Sequence, residues 1–331
     1  MSVPTELQEK LDRLSDLPSP PKVAMALVEL ARDPDVTVGA IADVIEFDPA
    51  LSAKVLRVAN SAHYVRSKAC ETVRRALITL GLQSTISTAL SFSLVNSLRQ
   101  KRAGELNYNR YWQRSIMAGI AARELGEQAG FRDKESLFLA ALLQDIGMLA
   151  VDTLDPYAYS AFTGDVSRHA DIEAFERDQF GCCHTEIGAW LLSRWRLPEQ
   201  FALAVDASHD PTRLEADHEW ATYARCVALA GLFADVWFTN QTPAAFAELV
   251  DRCEDALDMA PADTGIALAR MRERAPETAG MFDVQLLSQT QMQQVVNDAK
   301  QIILANNAAA LAEASKLREA LASYQTRAAR V

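Results

Sequence analysis

The amino-acid sequence predicts an all-α fold, and three observations carry that prediction. Only 7 % of the 331 residues are aromatic, while alanine and leucine dominate the long segments, a balance that favours helix over sheet. Apolar residues recur at three- and four-residue intervals along most of the chain, the period of a helix with one buried face. No stretch alternates apolar and polar residues for long enough to demand a strand. With 49 % apolar residues, a sizeable core can be filled.

Residues 1–16 form a polar N-terminal segment. The run Leu17-Pro18-Ser19-Pro20-Pro21 is too rich in proline for helix and should lead, extended, into a helix near Lys22 with Val23, Leu27, Leu30 and Ala31 on one face. Asp33-Pro34-Asp35 ends it, and Ile41, Val44 and Ile45 mark a short successor. Asp48-Pro49 reads as an N-cap followed by proline at the first helical position, where no donor is wasted. That helix carries Leu51, Val55 and Val58 and stops at Asn60-Ser61, whose side chains can bond the helix end. Val73, Leu77 and Leu80 lie on the next helix before Gly81, and a longer one runs from Ser84 to Leu98. Lys101-Arg102-Ala103-Gly104 closes this first layer.

A second block begins near Tyr108, with Tyr111, Ile116 and Ile120 on one helix and a turn from Gly126 to Asp133. The helix holding Leu137 to Leu143 is apolar nearly all round and so should be central. Ile187, Gly188, Leu191, Leu192 and Trp195 follow His184 at helical offsets and put it on a buried stripe. Leu197-Pro198 breaks that helix, another leads through Phe201 to His209, and a further one spans Val227 to Phe238. Thr242-Pro243 supplies another cap and start. From Gln285 the residues Ile303, Asn307, Ala310, Ala314, Leu317, Leu321 and Tyr324 make a thin heptad seam, the pattern of a coiled-coil end and a homodimer contact. Neither glycine nor proline caps the helix at Val331, so either the chain is cut there or the helix leads to a further domain.

A net charge of -11 argues against a general grip on nucleic acid, which needs a basic face. The start lacks the apolar run of a secretory leader, and no uninterrupted apolar run reaches about 18 residues, so a cytoplasmic protein with no membrane span is expected. Cys70, Cys182, Cys183, Cys226 and Cys253 form no CxxC pair and sit in apolar stretches, as buried reduced thiols do. The adjacent Cys182 and Cys183 raise the thought of a redox sensor, but sequence neighbours seldom meet disulfide geometry. His63, His169 and His218 lie in polar surroundings and read as solvated; Lys68, Arg74 and Arg75 form a small basic cluster on a solvated face or a phosphate site.

Several of these motifs, in this order, closely resemble the HDOD family, relatives of the HD-domain phosphohydrolases. They are the Leu17 to Pro21 run, Asp48-Pro49-Ala50-Leu51, Leu56 to Ser61, Ala76 to Gly81, Tyr111-Trp112 to Ser115, Ala140 to Gly147, His184 to Gly188, Leu197-Pro198 and Ser208-His209-Asp210. The resemblance covers roughly residues 15 to 240. It implies a multi-helix HD-like bundle in two helical subdomains, 17–104 and 105–260, followed by C-terminal helices over 261–331. It also implies a bacterial regulatory module, often joined to receiver domains or cyclic-di-GMP enzymes, whose members generally lack the metal ligands of their hydrolase relatives.

An HD hydrolase holds its ions with a histidine, a His-Asp pair and a distal aspartate, and the ions make hydroxide near neutral pH. Aligned through the motifs, the first histidine falls near Arg114, the pair becomes Gln144-Asp145, and the distal aspartate becomes Gly231. An arginine there would repel a divalent ion by roughly 8 kcal/mol at about 4 Å and an effective dielectric near 20. A glutamine amide is a weak neutral ligand and no substitute for imidazole. No cofactor and no metal are therefore expected in a pocket of Arg114, Gln144, Asp145, His184, His209 and Gly231, with Arg114 or another cation paired to Asp145 and His184 a satisfied core histidine. Asp48, Pro49, Asn60 and Ser61 are the family's motif residues, read as cap and helix end or as a partner-facing surface.

The expectation is a non-catalytic signalling module that binds a ligand or protein partner and relays a helix movement to an output domain beyond the C-terminus, a diguanylate cyclase being one such partner. Two alternatives stay open: a metal-dependent phosphohydrolase with a rearranged site of Asp145, His184 and His209, to which two imidazoles and a carboxylate are suited, and a dimerising scaffold built on residues 285 to 331.

Overall fold

A computed structural model describes residues 3–61, 64, 69–100, 103–162, 169–239 and 242–328, and among the described residues every regular element is helical. The all-α expectation holds. The N-terminal segment is more than a polar leader: α1 (Thr5–Asp12) buries Leu7 and Leu11, and Val3 before it is buried too.

The first layer comprises α2 (Lys22–Arg32), α3 (Val38–Glu46), α4 (Pro49–Ala59), α5 (Val73–Leu80) and α6 (Leu82–Arg99). Local chemistry sets its joints. Thr37, Asp48 and Thr72 cap α3, α4 and α5, each side chain accepting from the first free backbone N–H groups. Gly81 at φ 90° permits the sharp corner from α5 into α6. Asn60 closes the loop after α4: its amide donates to the Cys70 carbonyl at 2.8 Å and its oxygen accepts from the Cys70 N–H at 2.7 Å. The side chain thus clasps the backbone ten residues further on, where a bond to the helix end was expected; Ser61 directly follows α4 and Asn60. Arg74 pairs with Asp43 at 3.2 Å on an exposed face and Arg75 is exposed, whereas Lys68 and His63 lie outside the described residues.

The central body is built on α7 (Tyr108–Gln128), which packs against α8 (Lys134–Leu143), α13 (Ala221–Val236) and α15 (Pro261–Met281). The α7 helix runs through Gly126 to Gln128, so the predicted turn starts three residues late, at Ala129; the Leu137 side chain would meet a Cβ at Gly126 at 2.5 Å, so glycine admits it. On one flank α9 (Ile146–Leu154) packs on α11 (His184–Arg194), which packs on α12 (Glu199–Asp206); α10 (His169–Phe180) precedes them. On the other flank α14 (Thr242–Leu257) lies on α13, and α16 (Gln289–Ala328) packs on α14 and α15. The α6 helix joins the layers by packing on α8, and Asp152 of α9 gathers the Gly104 N–H, the Leu106 N–H and the Tyr108 hydroxyl at 2.6–3.0 Å.

No apolar run is uninterrupted for 18 residues, but residues 134–154 are long and apolar enough by mean composition to cross a membrane. It is two core helices, α8 and α9, and nearly all of it is buried inside the fold. The start of α16 is docked through Met292, Val295, Val296 and Ala299. The seam side chains beyond Ile303 lie outside the described residues, as does the His169 side chain. All five cysteines are buried free thiols. His218 is exposed, its Nδ1 accepting from the Trp220 N–H at 3.1 Å.

Candidate functional site

The site forms where α8 gives way to α9. Gln144 is the C-cap of α8 and Asp145 the N-cap of α9, so the polar pair sits in a bend between two apolar helices. Two glycines bring α11 against that bend. A Cβ on Gly147 would stand 1.9 Å from the His184 carbonyl oxygen and 2.8 Å from the Gly188 N, and a Cβ on Gly188 would meet the Ile146 side chain at 3.1 Å. Only glycine admits so close a backbone crossing, and the crossing delivers His184, the first residue of α11, to Asp145.

On the other side, α7 contributes Arg114 and α13 contributes Gly231 and Asp235. The guanidinium is bidentate on Asp235, Nε to Oδ1 at 2.7 Å and Nη2 to Oδ2 at 3.1 Å, and its Nη1 donates to Asp145 Oδ2. Burial works against the Arg114 charge, but the Asp145 and Asp235 carboxylates more than offset it and raise the guanidinium above its usual range. Burial pushes the Asp235 carboxyl up, which the guanidinium opposes. The expected pairing of Asp145 with Arg114 is present. The expected loss of the distal carboxylate is corrected: Gly231 does face the site, within 3.4 Å of Arg114 and Gln144 atoms for a Cβ placed there, but Asp235 one helical turn on supplies the acid. Gln144 is fully buried, and neither amide atom has a hydrogen-bond partner among the described residues.

His184 is completely buried, as its stripe predicted, and is held by a residue that sequence reasoning missed. Glu176 of α10 accepts the His184 backbone N–H at 2.7 Å and stands 2.6 Å from Nδ1 with the same oxygen, while its other oxygen takes the Tyr159 hydroxyl at 2.5 Å. Burial would lower the His184 pKa, yet Glu176 and then Asp145 carry it above the ordinary histidine value. His209, on the turn after α12, brings its Nε2 to 2.9 Å from His184 Nε2. Asp145 Oδ1 lies 3.3 Å from the His209 nitrogen and 3.7 Å from that of His184. The structure therefore brings together all six predicted pocket residues. Asp48, Pro49, Asn60 and Ser61 belong to the first layer, where Asp48 and Pro49 start α4.

The donors fit a metal on one side only. Asp145, His184 and His209 offer three ligand atoms within 4.8 Å of one another, a two-histidine, one-carboxylate set suited to zinc or iron. On the Asp235 side the guanidinium occupies the oxygens of Asp235 and one oxygen of Asp145, and among the described residues no imidazole is hydrogen-bonded to Asp235. A two-ion hydrolytic centre does not fit these residues.

Comparison with known proteins agrees with this architecture. The family profile described as HDOD domain matches residues 17–211. The chain is 24 % identical over 226 residues to an uncharacterized protein of Treponema pallidum (strain Nichols), a match that takes in 67 % of this chain but only 42 % of that one. It thus spans about two fifths of that relative's length. An HDOD domain protein of unknown function from Geobacter sulfurreducens is similar in structure, with a TM-score of 0.63 and 23 % identity over 83 % of this chain and 95 % of that one. So is a protein of Shewanella amazonensis SB2B whose name, phosphohydrolase, is provisional, with a TM-score of 0.64 and 23 % identity over 84 % and 97 % of the two chains. At these identities the two structures speak for the fold.

Proposed function

The chain belongs to the HDOD domain family, and from that premise we propose that it is a non-catalytic, cytoplasmic signalling module that binds a ligand or protein partner and relays a helix movement to an output domain. One observation carries the reading: the Arg114 guanidinium is bound to Asp145 and Asp235 at once. A buried, permanently charged side chain stands where a metal ion would ionise water, which an arginine cannot do, and its nitrogens are committed to two carboxylates. The route outward is supported by packing. Arg114 lies on α7, α15 packs on α7, and the forty-residue α16 packs on α15. A shift of the pocket helices would reach α16 through two packed interfaces, and a partner such as a diguanylate cyclase or a second copy of this chain would receive it. The test is hydrolysis of nucleotides and cyclic dinucleotides by purified protein with manganese, zinc or iron. No turnover above background is expected; turnover abolished by Asp145→Ala would overturn the proposal.

The convergence of Asp145, His184 and His209 favours a second reading, a phosphohydrolase with a one-ion site. The same assay separates the two, since that reading needs turnover that disappears in His209→Gln.

A further inference from the structure

We infer that Asp145, His184 and His209 form a binding site for one divalent first-row transition-metal ion, zinc being the best match to its donors. The inference goes beyond the relay reading and does not depend on it. The three donor atoms are separated by 2.9, 3.3 and 3.7 Å. Ligands about 2.0–2.1 Å from a tetrahedral zinc ion stand about 3.3 Å from one another. The side chains are thus already spaced as a ligand set.

Glu176 strengthens the assignment. It is fully buried, and its carboxylate is spent on His184 Nδ1, the His184 N–H and the Tyr159 hydroxyl. With Nδ1–H donated to Glu176, the His184 Nε2 lone pair faces His209, the tautomer and orientation that a carboxylate behind a metal-bound histidine enforces. Sinking a carboxylate into a core to orient one ring is expensive, and a ligand role accounts for it.

Charge and access agree. Among the described residues Asp145, Asp235 and Glu176 bring three carboxylates to the site and Arg114 one guanidinium, a balance that favours a cation. His209 retains 14 % side-chain exposure while Asp145 and His184 are closed off, so entry is past His209. No cysteine sulfur belongs to the set.

The full chain, stripped with chelator, is titrated with zinc chloride by calorimetry and with cobalt(II) by visible absorption. One ion per chain is expected, with the cobalt bands of a four- or five-coordinate ion and a higher melting temperature on zinc loading. Glu176→Gln should weaken zinc by about 10–100-fold, the cost of an outer-shell change. His209→Gln should weaken it further, and His218→Gln should leave it unchanged. No saturable uptake by the unaltered chain overturns the site, as does uptake that His209→Gln and His218→Gln affect equally. Should His209→Gln fail to fold, the cobalt spectrum of the unaltered chain decides. A bound ion that also turns over phosphodiesters keeps the site and overturns the relay reading; absence of uptake overturns the site and leaves that reading standing.

Discussion

Arg114 grips both oxygens of Asp235, at 2.7 and 3.1 Å, while its remaining nitrogen reaches Asp145. Three elements that are far apart in sequence, α7, the α8–α9 bend and α13, are locked by this one side chain. Arg114→Ala would leave two buried carboxylates without their counter-charge and is expected to cost about 3–5 kcal/mol. Arg114→Lys should recover only part, because an ammonium cannot reproduce the planar fork. Urea denaturation of the two variants measures both, and a loss under about 1 kcal/mol for Arg114→Ala would contradict the assignment.

Gln144 presents the opposite case, a buried amide with neither atom paired among the described residues. Gln144→Met keeps the volume and removes the idle polar atoms, so it should stabilise the chain by about 1–3 kcal/mol. If the variant is instead less stable, the amide is holding something in the pocket.

Two glycines should respond in opposite directions. At Gly147 an added Cβ meets the His184 carbonyl oxygen at 1.9 Å, a backbone atom that cannot swing away. Gly147→Ala is therefore expected to lose about 3 kcal/mol or more. At Gly280, near the end of α15, nothing lies within 4 Å, and Gly280→Ala should gain up to about 1 kcal/mol from helix propensity. Paired thermal melts check this contrast.

Burial pushes the Cys226 and Cys253 thiols up to about 12, with each other's charge adding at Cys226 and the Thr264 hydroxyl opposing at Cys253. A folded pKa above the unfolded one means that the fold binds the proton more tightly. That contribution is complete below about pH 9 and is lost as pH rises toward 12, at up to about 2.7 kcal/mol per pH unit for the two thiols together. Denaturant midpoints should be flat from pH 7 to 8.5 and fall above pH 9. The Cys226→Ala/Cys253→Ala double variant should decline more gently, and an equally steep fall would show that the thiols are not responsible.

The outer part of α16 is expected to hold two copies of the chain together. A cut after Ala305 keeps the buried Met292, Val295, Val296 and Ala299 in place, which a cut at Asp283 would remove. The shortened chain should stay folded and sediment as a monomer, and the full chain as a dimer. An unchanged dimer would take the helix out of the account.

Much of the fold was legible because local physics writes it plainly. Asp48-Pro49 announces a helix start wherever it occurs, the apolar girdle of Leu137 to Leu143 can only be central, and the offsets from His184 bury it regardless of neighbours. The site was half legible. Arg114, Gln144, Asp145 and Gly231 could be placed through spaced motifs, but Glu176 sits on a polar helix that resembles any solvated one. Its only sequence sign is a glutamate eight residues before a buried histidine.

What the sequence by itself determined was which segments are helices and which apolar faces they bury, since periodicity and caps act over a few residues. Only the tertiary structure decided who partners whom. Whether Asp235 or an empty glycine position would answer Arg114 depended on one turn of rotation of α13. That rotation is set by packing of whole helices across the core, and no single segment of the chain encodes it.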